Sequence, residues 1–163
     1  MDADLIGKVL DWAEFVSITE RVARTVASDG SPEVVVGILR GGMIPAVLVA
    51  HSMGLRDVRA IEVTHTTTDG ANAEKTANPT VGNVASLGHL ASRDVLIVDD
   101  VAGTAVTMAT AEELVKNAGA ARVRTLVCTV NQLNWQHDHD PGRALTYVGA
   151  CYRGWVVFPW EKR

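Results

Sequence analysis

The sequence predicts an α/β fold, a doubly wound and mainly parallel sheet, on three observations. Val34-Val35-Val36-Gly37-Ile38 and Val95-Leu96-Ile97-Val98 are short, nearly continuous apolar runs, which marks strands buried on both faces. Stretches with helical spacing separate such runs, as they do when parallel strands are joined by crossover helices. The two sharpest loops each follow directly on one of the buried strands, where ligands bind in open α/β sheets.

Taken in order, Asp11 followed by Glu14 forms a capping-box start, and Phe15, Ile18, Val22 and Val26 then recur at helical spacing. This helix should stop near Asp29-Gly30-Ser31-Pro32, ahead of the strand Val34 to Ile38. A loop at Leu39 to Met43, a helix from Ile44 to Met53 and a strand around Val58 to Val63 complete the first repeat. Thr64 to Gly82 is rich in Thr, Asn, Ala and Gly without apolar periodicity, and it reads as a flexible functional lid. After the strand Val95 to Val98 come a helix from Thr107 to Asn117, closed by Gly119, and an apolar strand from Val123 to Val130. A core of four or five parallel strands is expected. The tail from Leu145 to Arg163 reads as a strand and then an aromatic, Pro-containing hood over one end of the sheet.

A chain of 163 residues is expected to form a single domain. With 47% hydrophobic and 21% charged residues and a net charge of -4, it lacks the basic field that would hold nucleic acid. Asp, Glu and Arg interrupt the apolar positions of residues 1–30, so neither a signal peptide nor a membrane span is expected, and the location should be cytoplasmic. Cys128 and Cys151 show no metal or redox spacing and are expected to be core residues without chemistry. His137-Asp138-His139-Asp140 has metal-ligand residue types, but alternation in a polar Pro-Gly loop favours a solvated turn. His65, in the lid, is ambiguous.

The chemistry concentrates in Val95 to Thr107. The strand delivers Asp99 and Asp100 to its C-terminal end, and the small-residue turn Val101-Ala102-Gly103-Thr104-Ala105-Val106-Thr107 leads into a helix whose first amides suit a phosphate. Adjacent acids beside an anion site need a reason, because carboxylates repel phosphate. Ribose hydroxyls donate to carboxylates, and Mg2+ held by Asp99 and Asp100 offsets the remaining repulsion. A sugar phosphate satisfies both halves. The alternative, acids that merely end a strand and cap a helix, does not explain the pair.

This segment resembles the signature of the type I phosphoribosyltransferases, an apolar strand, two acids, three variable residues, Thr-Gly, one residue and Thr, with Ala105 standing where the family usually has Gly. If residue 105 needs a positive φ, its methyl crowds the phosphate loop. Leu39-Arg40-Gly41-Gly42-Met43-Ile44-Pro45-Ala46 is similar to the family's pyrophosphate loop, most closely in its purine branch. There the glycines let backbone amides approach an anion and Arg40 adds positive charge. Gly154-Trp155-Val156-Val157-Phe158-Pro159-Trp160-Glu161 looks like the C-terminal segment of bacterial and archaeal xanthine-guanine and related purine enzymes. In that resemblance Trp155 and Val156 lie against the purine, while Phe158 and Trp160 are hood packing.

The resemblance implies displacement of pyrophosphate from C1 of phosphoribosyl pyrophosphate by a heterocyclic base, with Mg2+ as cofactor, in a homodimer or homotetramer. Asp99 and Asp100 would hold the ribose, Gly103 to Thr107 the 5-phosphate, and Arg40, Gly41 and Gly42 the pyrophosphate. Two positions depart from enzymes for 6-oxopurines. Such enzymes usually carry an Asp at the place of Gly103 and a Lys at the place of Thr129. Losing both changes what the pocket recognises and points to an adenine-like or modified base, with Asn131 and Gln132 near enough in sequence to offer amides. The same departures leave open a non-catalytic sensor of the sugar phosphate. The family's lid Tyr has no counterpart between Thr64 and Gly82.

Overall fold

The computed structural model of the protein describes residues 6–66 and 74–161. Helix α1 (Trp12–Ser28) starts as its sequence dictates. Asp11 Oδ1 accepts from the Glu14 amide at 2.7 Å and Glu14 Oε2 accepts from the Asp11 amide at 3.1 Å, which closes the capping box. Its apolar stripe, Phe15, Ile18, Val22 and Val26, is buried.

Strands β2 (Val34–Leu39), β3 (Val58–Thr66), β4 (Lys75–Gly82), β5 (Asp94–Ala102), β6 (Arg122–Asn131) and β7 (Tyr147–Tyr152) form one sheet in the order β4-β3-β2-β5-β6-β7. Every neighbouring pair is parallel except β3 and β4. The alternation of buried side chains explains the continuous apolar runs. Val35, Leu96, Val98, Leu126 and Cys128 pack with α1 and with α2 (Met43–Ser52), whereas Val34, Val36, Val95, Ile97 and Val127 pack with α3 (Val106–Asn117). Both faces of the sheet are therefore covered, as doubly wound sheets require.

The segment expected to be a lid is different in its flanks. β3 runs on to Thr66 and β4 spans Lys75–Gly82, pairing antiparallel through Thr64 with Thr80 and Thr66 with Lys75. An edge strand is held by its backbone ladder on one side, so its exposed Thr and Asn side chains leave no apolar period to read, and Pro79 is tolerated there. The remainder of the expected lid, residues 67–73, lies outside the described residues. His65 sits on β3 with Nδ1 buried and without a hydrogen-bond partner among the described residues.

The tail makes a second, two-stranded sheet. β1 (Ile6–Val9) pairs parallel with β8 (Trp155–Val157), a contact between distant parts of the chain that no local pattern announces. Beyond β8, Phe158 and Trp160 stack with ring centroids 4.7 Å apart, and both meet Phe15 edge-on at 6.1 and 4.9 Å. The hood is thus pinned to the first turn of α1. Cys128 is a core residue as expected, but Cys151 on the outer strand β7 is exposed. Among the described residues no helix is long and apolar enough to cross a membrane.

Phe15 is fully buried and joins helix, sheet and hood. Phe15→Ala should cost about 3–5 kcal/mol of stability, measured by urea unfolding; a loss under about 1 kcal/mol would show that the hood is not anchored there.

Candidate active site

From β2 the chain moves outward to β3 on one side, and from β5 it moves outward to β6 and β7 on the other. The order therefore reverses between β2 and β5, and a crevice forms at their C-terminal ends. The register pairs Gly37 with Val98, so the loop after β2 and the acids near the end of β5 meet at this place.

The contact explains both glycines. A β-carbon on Gly41 would lie 2.6 Å from Asp100 Cγ, and one on Gly42 would lie 2.6 Å from the Ile38 carbonyl oxygen and 2.9 Å from Asp99 Cα. No side chain fits at either position, and the backbone of Arg40 to Gly42 consequently lies directly on the acid pair. Arg40 itself is exposed at the rim, and the Leu39–Arg40 peptide is cis.

Asp99 and Asp100 sit side by side. The Asp100 amide donates to Asp99 Oδ1 at 3.0 Å and the Val101 amide donates to Asp100 Oδ1 at 2.8 Å. Burial pushes the Asp99 carboxyl well above the usual range, and the neighbouring Asp100 charge adds to the shift. Burial likewise raises Asp100 to about 6, against the lowering effect of its hydrogen bonds, and the Glu161 charge adds to the rise. Glu161 belongs to the hood, where its Oε2 accepts from the Phe158 amide at 2.9 Å. Two crowded carboxylates that resist ionisation form an oxygen donor set suited to a hard cation. Among the described residues no group of three or more His, Cys, Asp or Glu side chains could hold a metal. Mg2+ fits such an incomplete set, because it binds through one or two carboxylates and takes further oxygens from substrate phosphates and water.

The turn from Val101 to Ala105 enters α3, whose N-cap is Ala105 at φ 60° and ψ 6°, with no side-chain cap. The positive φ suspected from the sequence is present, and the first amides of α3 receive no capping side chain. Val106 and Thr107 open the helix. Across the turn, His137 Nε2 lies 3.0 Å from the Thr104 carbonyl oxygen and donates to it when protonated at that nitrogen. His137 stacks on His139 with centroids 5.0 Å apart, and Trp135 Nε1 donates to the His139 carbonyl at 2.9 Å. The His-Asp run thus braces the turn.

The crevice assembles Arg40, Gly41, Gly42, Asp99 and Asp100 directly, with the turn from Val101 to Thr107 following on. Thr129, at the end of β6, is fully buried and its Oγ1 donates to the Asp100 carbonyl at 3.2 Å. Val156 is buried in the core under α1, while Trp155 is half-buried on β8. Asn131 Oδ1 accepts from the Leu133 amide at 3.1 Å, and Gln132 is exposed. Sequence reasoning missed Glu161, Asn134 and the bracing role of His137. Only the bare backbone at Gly103, against which Asn134 leans, could have hinted at one of them.

An acid pair packed on a two-glycine loop is an arrangement that suits a polar, hydroxyl-bearing ligand, and the chain belongs to the phosphoribosyl transferase domain family, whose model matches residues 6–161. Its enzymes are pentosyltransferases. The chain is 27% identical over 135 residues to a xanthine-guanine phosphoribosyltransferase of Roseobacter denitrificans, covering 82% of this chain and 70% of that protein. It superposes on a purine phosphoribosyltransferase from Pyrococcus horikoshii with a TM-score of 0.76 at 27% identity, covering 96% of this chain and 95% of the other. The fold is shared with a Helicobacter pylori xanthine-guanine-hypoxanthine phosphoribosyltransferase at a TM-score of 0.67, 17% identity, and coverage of 94% and 92%.

The folded Asp100 value of about 6 lies above the ordinary 3.8, so the folded protein keeps a proton that the unfolded chain has released. Its contribution to stability is therefore present below about pH 4 and is lost as pH rises toward 6. Asp100→Asn should make the ligand-free protein more stable at pH 7 by roughly 1–3 kcal/mol, with the gain vanishing near pH 4. Urea unfolding at both pH values checks this, and an equal effect at the two would remove the buried charge as its cause.

Proposed function

We propose that the chain is a purine phosphoribosyltransferase. The observation that carries this reading is the buried acid pair packed on the two-glycine loop at the switch point, one turn away from the uncapped N-terminus of α3. Asp99 and Asp100 accept hydrogen bonds from the ribose hydroxyls of phosphoribosyl pyrophosphate. The amides of the turn from Gly103 to Thr107 receive the 5-phosphate. Arg40 and the Gly41 and Gly42 backbone hold the pyrophosphate group.

In the reaction a ring nitrogen of the base forms a bond to C1 as the bond to pyrophosphate breaks, with inversion and oxocarbenium-like character. Mg2+, when bound, neutralises charge on the pyrophosphate oxygens. The protein's own contribution is to fix the sugar at both ends and to keep water from C1, so positioning and electrostatic stabilisation supply most of the acceleration.

The base we propose is a purine with an amino group or a modified substituent at C6. Gly103 offers no acid, and Thr129 offers neither a cation nor a free hydroxyl hydrogen, since its hydroxyl is directed to the Asp100 carbonyl. A 6-oxopurine therefore lacks partners that each matter by about 1–3 kcal/mol in a buried site. The same two positions favour a second reading, a sensor that binds the donor without turnover, and one assay separates them.

Pyrophosphate release measured with adenine, hypoxanthine, guanine and xanthine should show adenine ahead in kcat/KM by tenfold or more, about 1.4 kcal/mol. Hypoxanthine or guanine ahead by that margin would overturn the base assignment. Donor binding without release for any base would favour the sensor. Arg40→Ala should weaken pyrophosphate binding by tenfold or more and leave a nucleoside monophosphate within about twofold, corresponding to the roughly 1.5–3 kcal/mol of a charge-assisted contact. Calorimetry gives both constants, and parallel losses would move Arg40 out of the pyrophosphate site.

A further inference from the structure

The turn after the acid pair has no side chain at Gly103, and another part of the chain fills that space. A β-carbon on Gly103 would lie 3.1 Å from Asn134 Cβ, 3.7 Å from its Nδ2 and 3.9 Å from its Cγ. Asn134 is half-buried and is held from both sides in sequence. Its amide donates to the Asn131 carbonyl at 3.2 Å, while Asn131 Oδ1 takes the Leu133 amide at 3.1 Å. After it, Trp135 is tied to the His139 carbonyl and His137 to the Thr104 carbonyl. The loop backbone that carries Asn134 is thus held, and the Asn134 side chain lies against the residue three positions beyond Asp100, in the turn that enters α3.

We infer that Asn134 reads the edge of the base and selects a 6-aminopurine, an inference that rests on the phosphoribosyltransferase reading above. A carboxamide presents a donor and an acceptor side by side. Adenine offers the matching pair along one edge, with N7 as acceptor and the 6-amino group as donor, and asparagine meets the two together. A 6-oxopurine offers N7 and O6, two acceptors, so the amide oxygen of Asn134 faces an oxygen. Gly103 is the complement of this arrangement, because a β-carbon there would crowd Asn134 Cβ and push the carboxamide off the edge it reads.

The test is calorimetric binding of AMP, GMP and ribose 5-phosphate to the full chain and to two variants that keep the branch at Cγ, Asn134→Leu and Asn134→Asp. The native protein should bind AMP at least tenfold more tightly than GMP. Both variants should lose at least tenfold in AMP affinity and keep ribose 5-phosphate within twofold; Asn134→Leu should bring AMP and GMP close together, whereas Asn134→Asp, an acceptor alone, should keep AMP ahead of GMP. Should one variant fail to fold, the other still reads the loss of AMP affinity against unchanged ribose 5-phosphate. Unchanged AMP affinity, a parallel loss of ribose 5-phosphate, or a native preference for GMP would each overturn the assignment of Asn134 while leaving the phosphoribosyltransferase reading intact. A native protein that binds none of the three ligands would overturn that reading, and this inference with it.

Discussion

The close contact between Asp99-Asp100 and the backbone of Arg40 to Gly42 is the constraint on which the site depends. Two carboxylates buried at adjacent positions lose solvation, and the rise of Asp100 to about 6 expresses that cost, while the Asp100 charge pushes Asp99 up further. The fold keeps them there because β5 is the central strand at the reversal of strand order, covered by helices on both faces. The glycines then have no freedom to vary, since any β-carbon at position 41 or 42 would meet the acid pair or its backbone.

The turn that enters α3 carries a second strain and a second support. Ala105 occupies the left-handed region at φ 60°, where a β-carbon costs roughly 1–2 kcal/mol relative to the right-handed region. The loop between β6 and β7 offsets this by bracing the turn, through His137 on the Thr104 carbonyl and Asn134 against Gly103. The aromatic contacts of Trp135, His137 and His139 give that loop an internal packing that an ordinary polar connection lacks. A run that looks like a metal motif in sequence is, in three dimensions, a brace for the turn that enters α3.

The hood connects the far end of the chain to the same crevice. Phe158 and Trp160 stack on one another and meet Phe15, while Glu161 is close enough for its charge to raise Asp100. The capping box at Asp11 and Glu14 fixes the turn of α1 that receives these rings. The three aromatic side chains hold the segment that leads to Glu161 against the first turn of α1.

Much of this was decided locally. The capping box, the apolar stripe of α1, the buried runs of β2 and β5 and the two ligand loops follow from residues near one another in sequence, because 3.6-residue periodicity, continuous β-branched runs and paired glycines have local causes. What only the tertiary structure decided depends on partners far apart in the chain. β4 forms because β3 offers it a ladder, although its own Thr and Asn residues carry no apolar period. β1 exists only as the partner of β8, Thr129 turns its hydroxyl to the Asp100 carbonyl, and Asn134 fills the space beside Gly103. A sequence states which side chains are present at a site's own motif, but a space left empty there is filled by packing from elsewhere, and packing is a property of the folded chain.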